Sequence, residues 1–145
     1  MPVKTLGRHL IAEFYDCDLS IIDDVEAMRR VLHATAKVVR ATVVGEAFHH
    51  FAPQGVSGTL VIAESHISLH TWPEQGYVAV DIFTCGELDP NDGVETLAEQ
   101  LKAASYRLQE ITRGLPSDIE AGKKLVPQDV RVVTRLHEAR PRALD

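Results

Sequence analysis

A stretch near the middle of the chain places several reactive side chains close together in sequence. Residues 64 to 70 read ESHISLH, which brings the carboxyl of Glu64, the hydroxyl of Ser65 and the imidazoles of His66 and His70 into seven positions. The stretch also alternates apolar and polar residues, as a half-buried strand does. In a regular strand Ser65 and His70 would lie on opposite faces of the sheet. Chemistry that joins these two side chains therefore requires a kink near the Glu64–Ser65 bond. Alternatively, the chain could be cleaved at that bond, which would free the new chain end to move.

Three common kinds of site fit this chain poorly. His66 and His70 share one strand face but lie about 13 Å apart in an ideal strand. The adjacent His49 and His50 point to opposite faces, so we expect no metal site. Ser65 has neither a GxSxG elbow nor a glycine-rich oxyanion loop around it, which argues against a hydrolytic triad. The glycines also fit neither GxGxxG nor the P-loop pattern, so a phosphate cradle is not expected.

A serine that follows an acid can instead react with its own chain. The Ser65 hydroxyl would add to the carbonyl carbon of Glu64 and convert the peptide bond to an ester. Elimination across the Cα–Cβ bond of residue 65 would break that ester, and hydrolysis of the resulting enamine would leave a pyruvoyl group. A pyruvoyl ketone forms a Schiff base with an amine and withdraws electrons during decarboxylation. The sequence thus admits a self-cleaving, pyruvoyl-dependent enzyme.

The composition is that of a globular protein with enough apolar material for one core. The chain has 145 residues, 45% hydrophobic and 25% charged, with a formal net charge of −6. This acidic balance argues against nucleic acid as a partner, because phosphate binding needs a basic face. The two cysteines form no disulfide framework, and Cys17 is interpreted as structural. We expect a cytoplasmic location without membrane spans, because no signal core and no long apolar run is present.

The pattern of apolar residues predicts an α+β fold, with an antiparallel sheet and helices on one face. Most connections between strands are too short for parallel crossovers. The other face of the sheet must also be covered, and a second protomer is the obvious candidate. The predicted elements are a strand at 9–15, a helix at 20–40, strands at 42–51, 56–63, 66–72 and 77–85, a helix at 94–111, and one or two further strands. They make up a single domain of residues 1–136, which an exposed tail at 137–145 follows.

The central segment carries a resemblance to a known family. Residues 51–86, FAPQGVSGTLVIAESHISLHTWPEQGYVAVDIFTCG, closely resemble the prokaryotic S-adenosylmethionine decarboxylase proenzymes. GVSG, ESH, HTWPE and FTCG occur at the family's spacing, and the order of flanking elements agrees up to about residue 133. The resemblance implies self-cleavage between Glu64 and Ser65. It would yield a β chain of residues 1–64 and an α chain that begins at a pyruvoyl group made from Ser65.

The resemblance also implies roles for residues outside the cleavage bond. Ser57 would assist the ester intermediate, and His70 would take the Cα proton during the elimination. Cys85 would protonate the substrate carbon after CO₂ leaves. Phe51 would stack on adenine, and Glu74 would hold the ribose hydroxyls.

The implied reaction is the decarboxylation of S-adenosylmethionine, which is a cation. The product of this reaction is the aminopropyl donor for spermidine and other polyamines. The family pairs two protomers as an αββα sandwich, so we expect a homodimer of cleaved protomers. Two alternatives stay open. Because the cleavage motif serves the cofactor, the same scaffold could decarboxylate arginine or ornithine. An uncleaved homologue with a binding or regulatory role would keep the fold without the chemistry. His66 has no role in either scheme beyond its place next to the cleavage bond.

Overall fold

Seven strands of the described residues form one sheet in the computed structural model, which describes residues 5–63, 65–122 and 134–138. In chain order they are β1 (Gly7–Tyr15), β2 (Val43–His50), β3 (Val56–Ile62), β4 (Ser65–Trp72), β5 (Tyr77–Cys85), β6 (Ser105–Arg113) and β7 (Thr134–Glu138). Their order across the sheet is β2-β3-β4-β5-β1-β6-β7, and each neighbouring pair is antiparallel. The antiparallel sheet predicted from the sequence is therefore confirmed.

The first predicted helix is in fact two helices. The helices of the described residues are α1 (Leu19–Ile22), α2 (Val25–Val38), α3 (Val94–Leu101) and α4 (Pro116–Gly122). Asp23 ends α1, and the Asp24 carboxylate accepts hydrogen bonds from the backbone N–H groups of Glu26 and Ala27 at the start of α2. Such a cap satisfies N–H groups that have no partner within the helix, so the chain can restart a helix directly after a break.

The second predicted helix is wrong over its C-terminal half. Helix α3 ends at Leu101, where Lys102 adopts a left-handed conformation with φ of 52°. Residues Ser105–Arg113 then form β6, and Leu108 reaches the core from a strand, opposite Ala12 of β1. The apolar spacing fits both structures locally, and pairing with β1 decides in favour of the strand.

The two faces of the sheet differ in burial. Helix α2 packs against β2, β3 and β4 from one side. Strand residues on that side, such as Leu10, Leu60 and Ile82, are fully buried. The residues that alternate with them point to the opposite face, which we call the open face, and are mostly only partly buried. Trp72 on the open face remains 43% exposed.

Some of the predicted features fall at or beyond the limits of the described residues. Strand β7 ends at Glu138, two residues past the predicted end of the domain. Residues 123–133 and 139–145, and Glu64 of the predicted cleavage bond, lie outside the described residues. None of the described helices is long and apolar enough to cross a membrane.

Candidate active site

Ser57 and His70 form a hydrogen-bonded pair on the open face. They lie directly opposite each other on β3 and β4, with the Ser57 Oγ 2.7 Å from the His70 Nδ1. The hydroxyl can donate to Nδ1 and fix the orientation of the ring. An imidazole held in this way can accept a proton from a reacting group. The hairpin register therefore joins two residues that the sequence places in separate motifs.

Ser65 lies at the other end of β4. The strand pairs without a register shift with β3 over Ser65–His70 and with β5 over His66–Trp72, so no kink within it moves Ser65 toward His70. Five residue steps separate the two, which is about 16 Å in a strand. Ser65 pairs with Ile62, and its Oγ is buried without a hydrogen-bond partner among the described residues. The opposite orientation of the Ser65 and His70 side chains therefore persists in the folded chain.

Cys85 lies next to the segment that leads to Ser65 and far from His70 along the strands. It ends β5 on the open face, and its Sγ lies 3.6 Å from the backbone carbonyl oxygen of Ala63. The thiol is only partly buried. Cys17 differs, because burial, with a smaller contribution from Asp16, raises the pKa of its thiol to about 12. Cys85 is thus the cysteine that a substrate can reach.

Phe51 and Glu74 occupy two turns beside the Ser57–His70 end of the sheet. The Gln54 Nε2 donates a hydrogen bond of 2.8 Å to the Glu74 carboxylate, which holds the two turns together. The Phe51 ring is 48% exposed and meets the His49 ring edge to face, with 4.4 Å between the centroids. An exposed aromatic face and a carboxylate are therefore available to a ligand at this end.

A pocket of about 400 Å³ opens beside Cys85. Its lining residues are Leu6, Gly7, Phe83, Cys85, Arg113 and Gly114. Gly7 lies between Cys85 and Arg113 in the sheet, paired with both. A Cβ on Gly7 would come within 2.8 Å of the Phe83 ring, so the glycine leaves room for that ring in the wall of the pocket. Arg113 lies outside the segment 51–86, and no pattern in the sequence singled it out.

His66 belongs to a cluster that sequence reasoning also missed. His9, His66 and Asp81 come from three adjacent strands, and their potential ligand atoms lie within 4.8 Å of one another. The His9 Nε2 lies 3.8 Å from the Asp81 Oδ1, and its Nδ1 lies 3.4 Å from the Arg113 Nη1. A guanidinium can only donate, so Nδ1 accepts and Nε2 carries the ring proton. A metal ion on Nε2 needs the opposite tautomer, so these contacts argue against a metal ion at this cluster.

The charge states within this cluster follow from burial and contacts. Burial, followed by the neighbouring His9, lowers the pKa of His66, which favours its neutral form. The neighbouring His9 ring lowers the pKa of Asp81, which favours the carboxylate. The cluster therefore presents one carboxylate between two imidazoles on the open face.

Comparison with known proteins identifies the family. The profile described as S-adenosylmethionine decarboxylase matches residues 8–114. A relative named S-adenosylmethionine decarboxylase proenzyme, from Caldanaerobacter subterraneus subsp. tengcongensis, is 50% identical over 114 residues, which are 78% of this chain and 92% of the relative. A protein of the same name from Thermosipho africanus is 49% identical over 118 residues, 81% of this chain and 91% of the relative.

Solved structures agree with this assignment. The crystal structure of the adenosylmethionine decarboxylase from Aquifex aeolicus VF5 matches with a TM-score of 0.71 and 33% identity, over 88% of this chain and 98% of that chain. A Trypanosoma brucei AdoMetDC structure matches at 0.54 and 13% identity, over 72% of this chain and 45% of that one, and shows the fold alone. The α+β fold is thus one that known decarboxylases share. The chain belongs to the S-adenosylmethionine decarboxylase family, which confirms the resemblance of residues 51–86.

Proposed function

We propose that the protein is a self-cleaving, pyruvoyl-dependent decarboxylase that converts S-adenosylmethionine to decarboxylated S-adenosylmethionine, the aminopropyl donor for polyamine synthesis. Membership of the family and the proenzyme names of the relatives support decarboxylation after self-processing. The observation that carries the proposal is the Cys85 thiol 3.6 Å from the Ala63 carbonyl, beside the segment that leads to Ser65. A proton donor is thereby held against Ala63, the residue that precedes Glu64 in the sequence.

The residues of the chain fit the formation of the cofactor. The Ser65 hydroxyl attacks the Glu64 carbonyl, and the acyl group moves from nitrogen to oxygen. Removal of the Cα proton of residue 65 then expels the Glu64 carboxylate, and water releases ammonia to leave the keto group. The Ser65 Oγ is buried and unpartnered among the described residues, which suits a side chain that processing consumes. A pyruvoyl group supplies an electrophilic carbonyl for an amine substrate.

The processing base belongs to a second protomer in this proposal. About 16 Å along β4 separates His70 from Ser65 of the same chain. The partly exposed open face, with Val61 48% and Trp72 43% exposed, requires a cover. A second copy that packs its open face on the first, related by a twofold axis, can bring the Ser57–His70 pair of one protomer to the Ser65 end of the other. The assembly is then the αββα sandwich, with two sites shared between protomers.

The substrate is assigned from the end of the sheet that carries Phe51 and Glu74. The exposed Phe51 ring would stack on adenine, and the Glu74 carboxylate would accept hydrogen bonds from the ribose. Arginine and ornithine offer neither group. The identities to proteins named for S-adenosylmethionine also favour that substrate over the two amino acids.

Release of CO₂ tests the function. Purified protein should release CO₂ from carboxyl-labelled S-adenosylmethionine, with kcat/KM at least about 100-fold above that for labelled arginine or ornithine. Activity on either amino acid with none on S-adenosylmethionine would contradict the substrate assignment. Release from none of the three would leave the uncleaved regulatory homologue as the better account.

A further inference from the structure

We infer that Arg113 binds the α-carboxylate of the substrate in the pocket beside Cys85. The inference rests on the proposed function, because it takes Cys85 as the donor of the proton that replaces CO₂. It adds a binding residue that lies outside the motifs of residues 51–86 and on a different strand, β6.

The sheet places Arg113 and Cys85 on either side of one glycine. Gly7 of β1 pairs with Cys85 of β5 on one side and with Arg113 of β6 on the other. Antiparallel strands lie about 4.8 Å apart, so about 10 Å separates the two outer Cα atoms. All three residues line the pocket of about 400 Å³. Because Gly7 has no side chain, the Phe83 ring can lie against it and form part of the wall of this pocket.

Neighbouring side chains hold the guanidinium at this pocket. The Arg113 Cζ lies 4.5 Å from the centre of the Phe83 ring, a cation–π contact. Its Nη1 lies 3.4 Å from the His9 Nδ1, and the His9 Nε2 faces Asp81 at 3.8 Å. These contacts fix the plane of a group with five N–H donors while using one of its nitrogens. The remaining N–H groups of the guanidinium can donate two parallel hydrogen bonds to a carboxylate.

The arrangement suits the chemistry of the reaction. During decarboxylation the bond between the α carbon and the carboxylate breaks, CO₂ leaves, and a proton from Cys85 reaches the α carbon. A carboxylate held by Arg113 fixes the direction in which CO₂ leaves and keeps the α carbon next to the thiol. The negative charge that Arg113 binds disappears as CO₂ forms, so the contact favours the bound substrate over the transition state. Arg113 is therefore expected to lower KM without raising kcat.

Steady-state kinetics of processed Arg113→Ala test this expectation. KM for S-adenosylmethionine should rise about 10-fold to 100-fold, the scale of a lost charge-assisted hydrogen bond, while kcat changes less than about fivefold. The inhibition constant of the decarboxylated product, which has no carboxylate, should change less than about twofold. Arg113→Lys keeps the charge but not the fork and should give an intermediate KM. The matched control is Arg107→Ala, on the same strand and face but outside the pocket, with KM unchanged.

Each other outcome overturns the inference in a distinguishable way. If KM and the product inhibition constant rise together, Arg113 supports the site as a whole and does not recognise the carboxylate. If neither changes, Arg113 does not contact the substrate. The extent of self-cleavage in each variant reports whether it has folded. Wild-type protein that releases no CO₂ would overturn the proposed function, whereas an active wild type with an unaffected Arg113→Ala would overturn this inference alone.

Discussion

The Ser57 Oγ lies 2.7 Å from the His70 Nδ1, and this pair sits at the opposite end of β4 from Ser65. The residues expected to act on the Glu64–Ser65 bond are thus divided between the two ends of the β3–β4 hairpin, with Ser57 and His70 at one end and Ser65 at the other. Cys85, in contrast, lies at the Ser65 end, beside Ala63. The proposed twofold pairing of open faces would resolve the division, because each protomer would then supply what the other lacks.

Mixed dimers should reveal this division. His70→Ala and Ser65→Ala chains should each remain uncleaved when produced alone. When the two are produced together, the His70→Ala chain should be cleaved, because the Ser65→Ala chain supplies an intact His70. Chains with different tags, separated by denaturing electrophoresis, measure this cleavage.

The control for mixed dimers is His33→Ala. His33 is an exposed histidine on α2 that pairs with Glu46 and lies away from the open face, so this variant should be cleaved like the wild type. Failure of the mixed dimers to cleave the His70→Ala chain would contradict a site shared between protomers. Cleavage of the His70→Ala chain produced alone would instead remove His70 as the base.

The two cysteines should differ in reactivity. A thiol-alkylating reagent near pH 8 should label Cys85 and leave Cys17 unlabelled, because burial raises the pKa of Cys17 to about 12. Bound S-adenosylmethionine should slow the labelling of Cys85. Cys85→Ala should still self-cleave but lose at least about 100-fold in kcat, the scale of a lost general acid. Peptide mass mapping measures the labelling, and preferential labelling of Cys17 would be inconsistent with this account.

Gly7→Ala should displace the Phe83 ring and so distort the pocket beside Cys85. Its Cβ would meet the Phe83 ring at 2.8 Å, and relief of this overlap should cost about 1–3 kcal/mol of stability and raise KM. Gly45→Ala is the matched control, because a Cβ there meets Val61 at an ordinary 3.8 Å. Urea unfolding and steady-state kinetics measure both effects. Equal effects of the two substitutions would show that Gly7 has no special place in the pocket.

Acid should destabilise the protein through His66. Burial lowers its pKa in the folded state below the ordinary value of 6.5, so the unfolded chain binds more protons as the pH falls below that value. Stability should therefore rise with pH up to about 6.5 and then level off. Urea unfolding of the uncleaved Ser65→Ala chain measures this effect. When His66→Gln is added, the free energy of unfolding should rise less steeply with pH. An unchanged slope would show that His66 does not contribute.

The sequence predicted the sheet and the motif residues because their signals are local. Alternation of apolar residues marks each central strand, and GVSG and HTWPE carry Ser57 and His70 in neighbouring strands. The division of the first helix followed from two adjacent acids, Asp23 and Asp24, of which the second caps a new helix. That signal was present in the sequence but was outweighed by the apolar periodicity around it.

The features that the sequence did not predict depend on pairing between strands that are distant in sequence. Residues 105–113 looked helical until their partner strand β1 was known. Arg113 approaches Cys85 only because β1 inserts between β5 and β6 and contributes a glycine at that point. His9, His66 and Asp81 meet for the same reason, across three strands whose order no local pattern specifies. Residues separated in sequence by more than one hairpin were therefore beyond prediction.

The intact mass of the purified protein would reveal self-cleavage between Glu64 and Ser65. We expect two chains, residues 1–64 and a pyruvoyl-capped chain that ends at residue 145. Ser65→Ala should remain one chain of 145 residues. A wild-type protein that stays a single chain after long incubation, or a Ser65→Ala protein that still splits at this bond, would contradict this expectation.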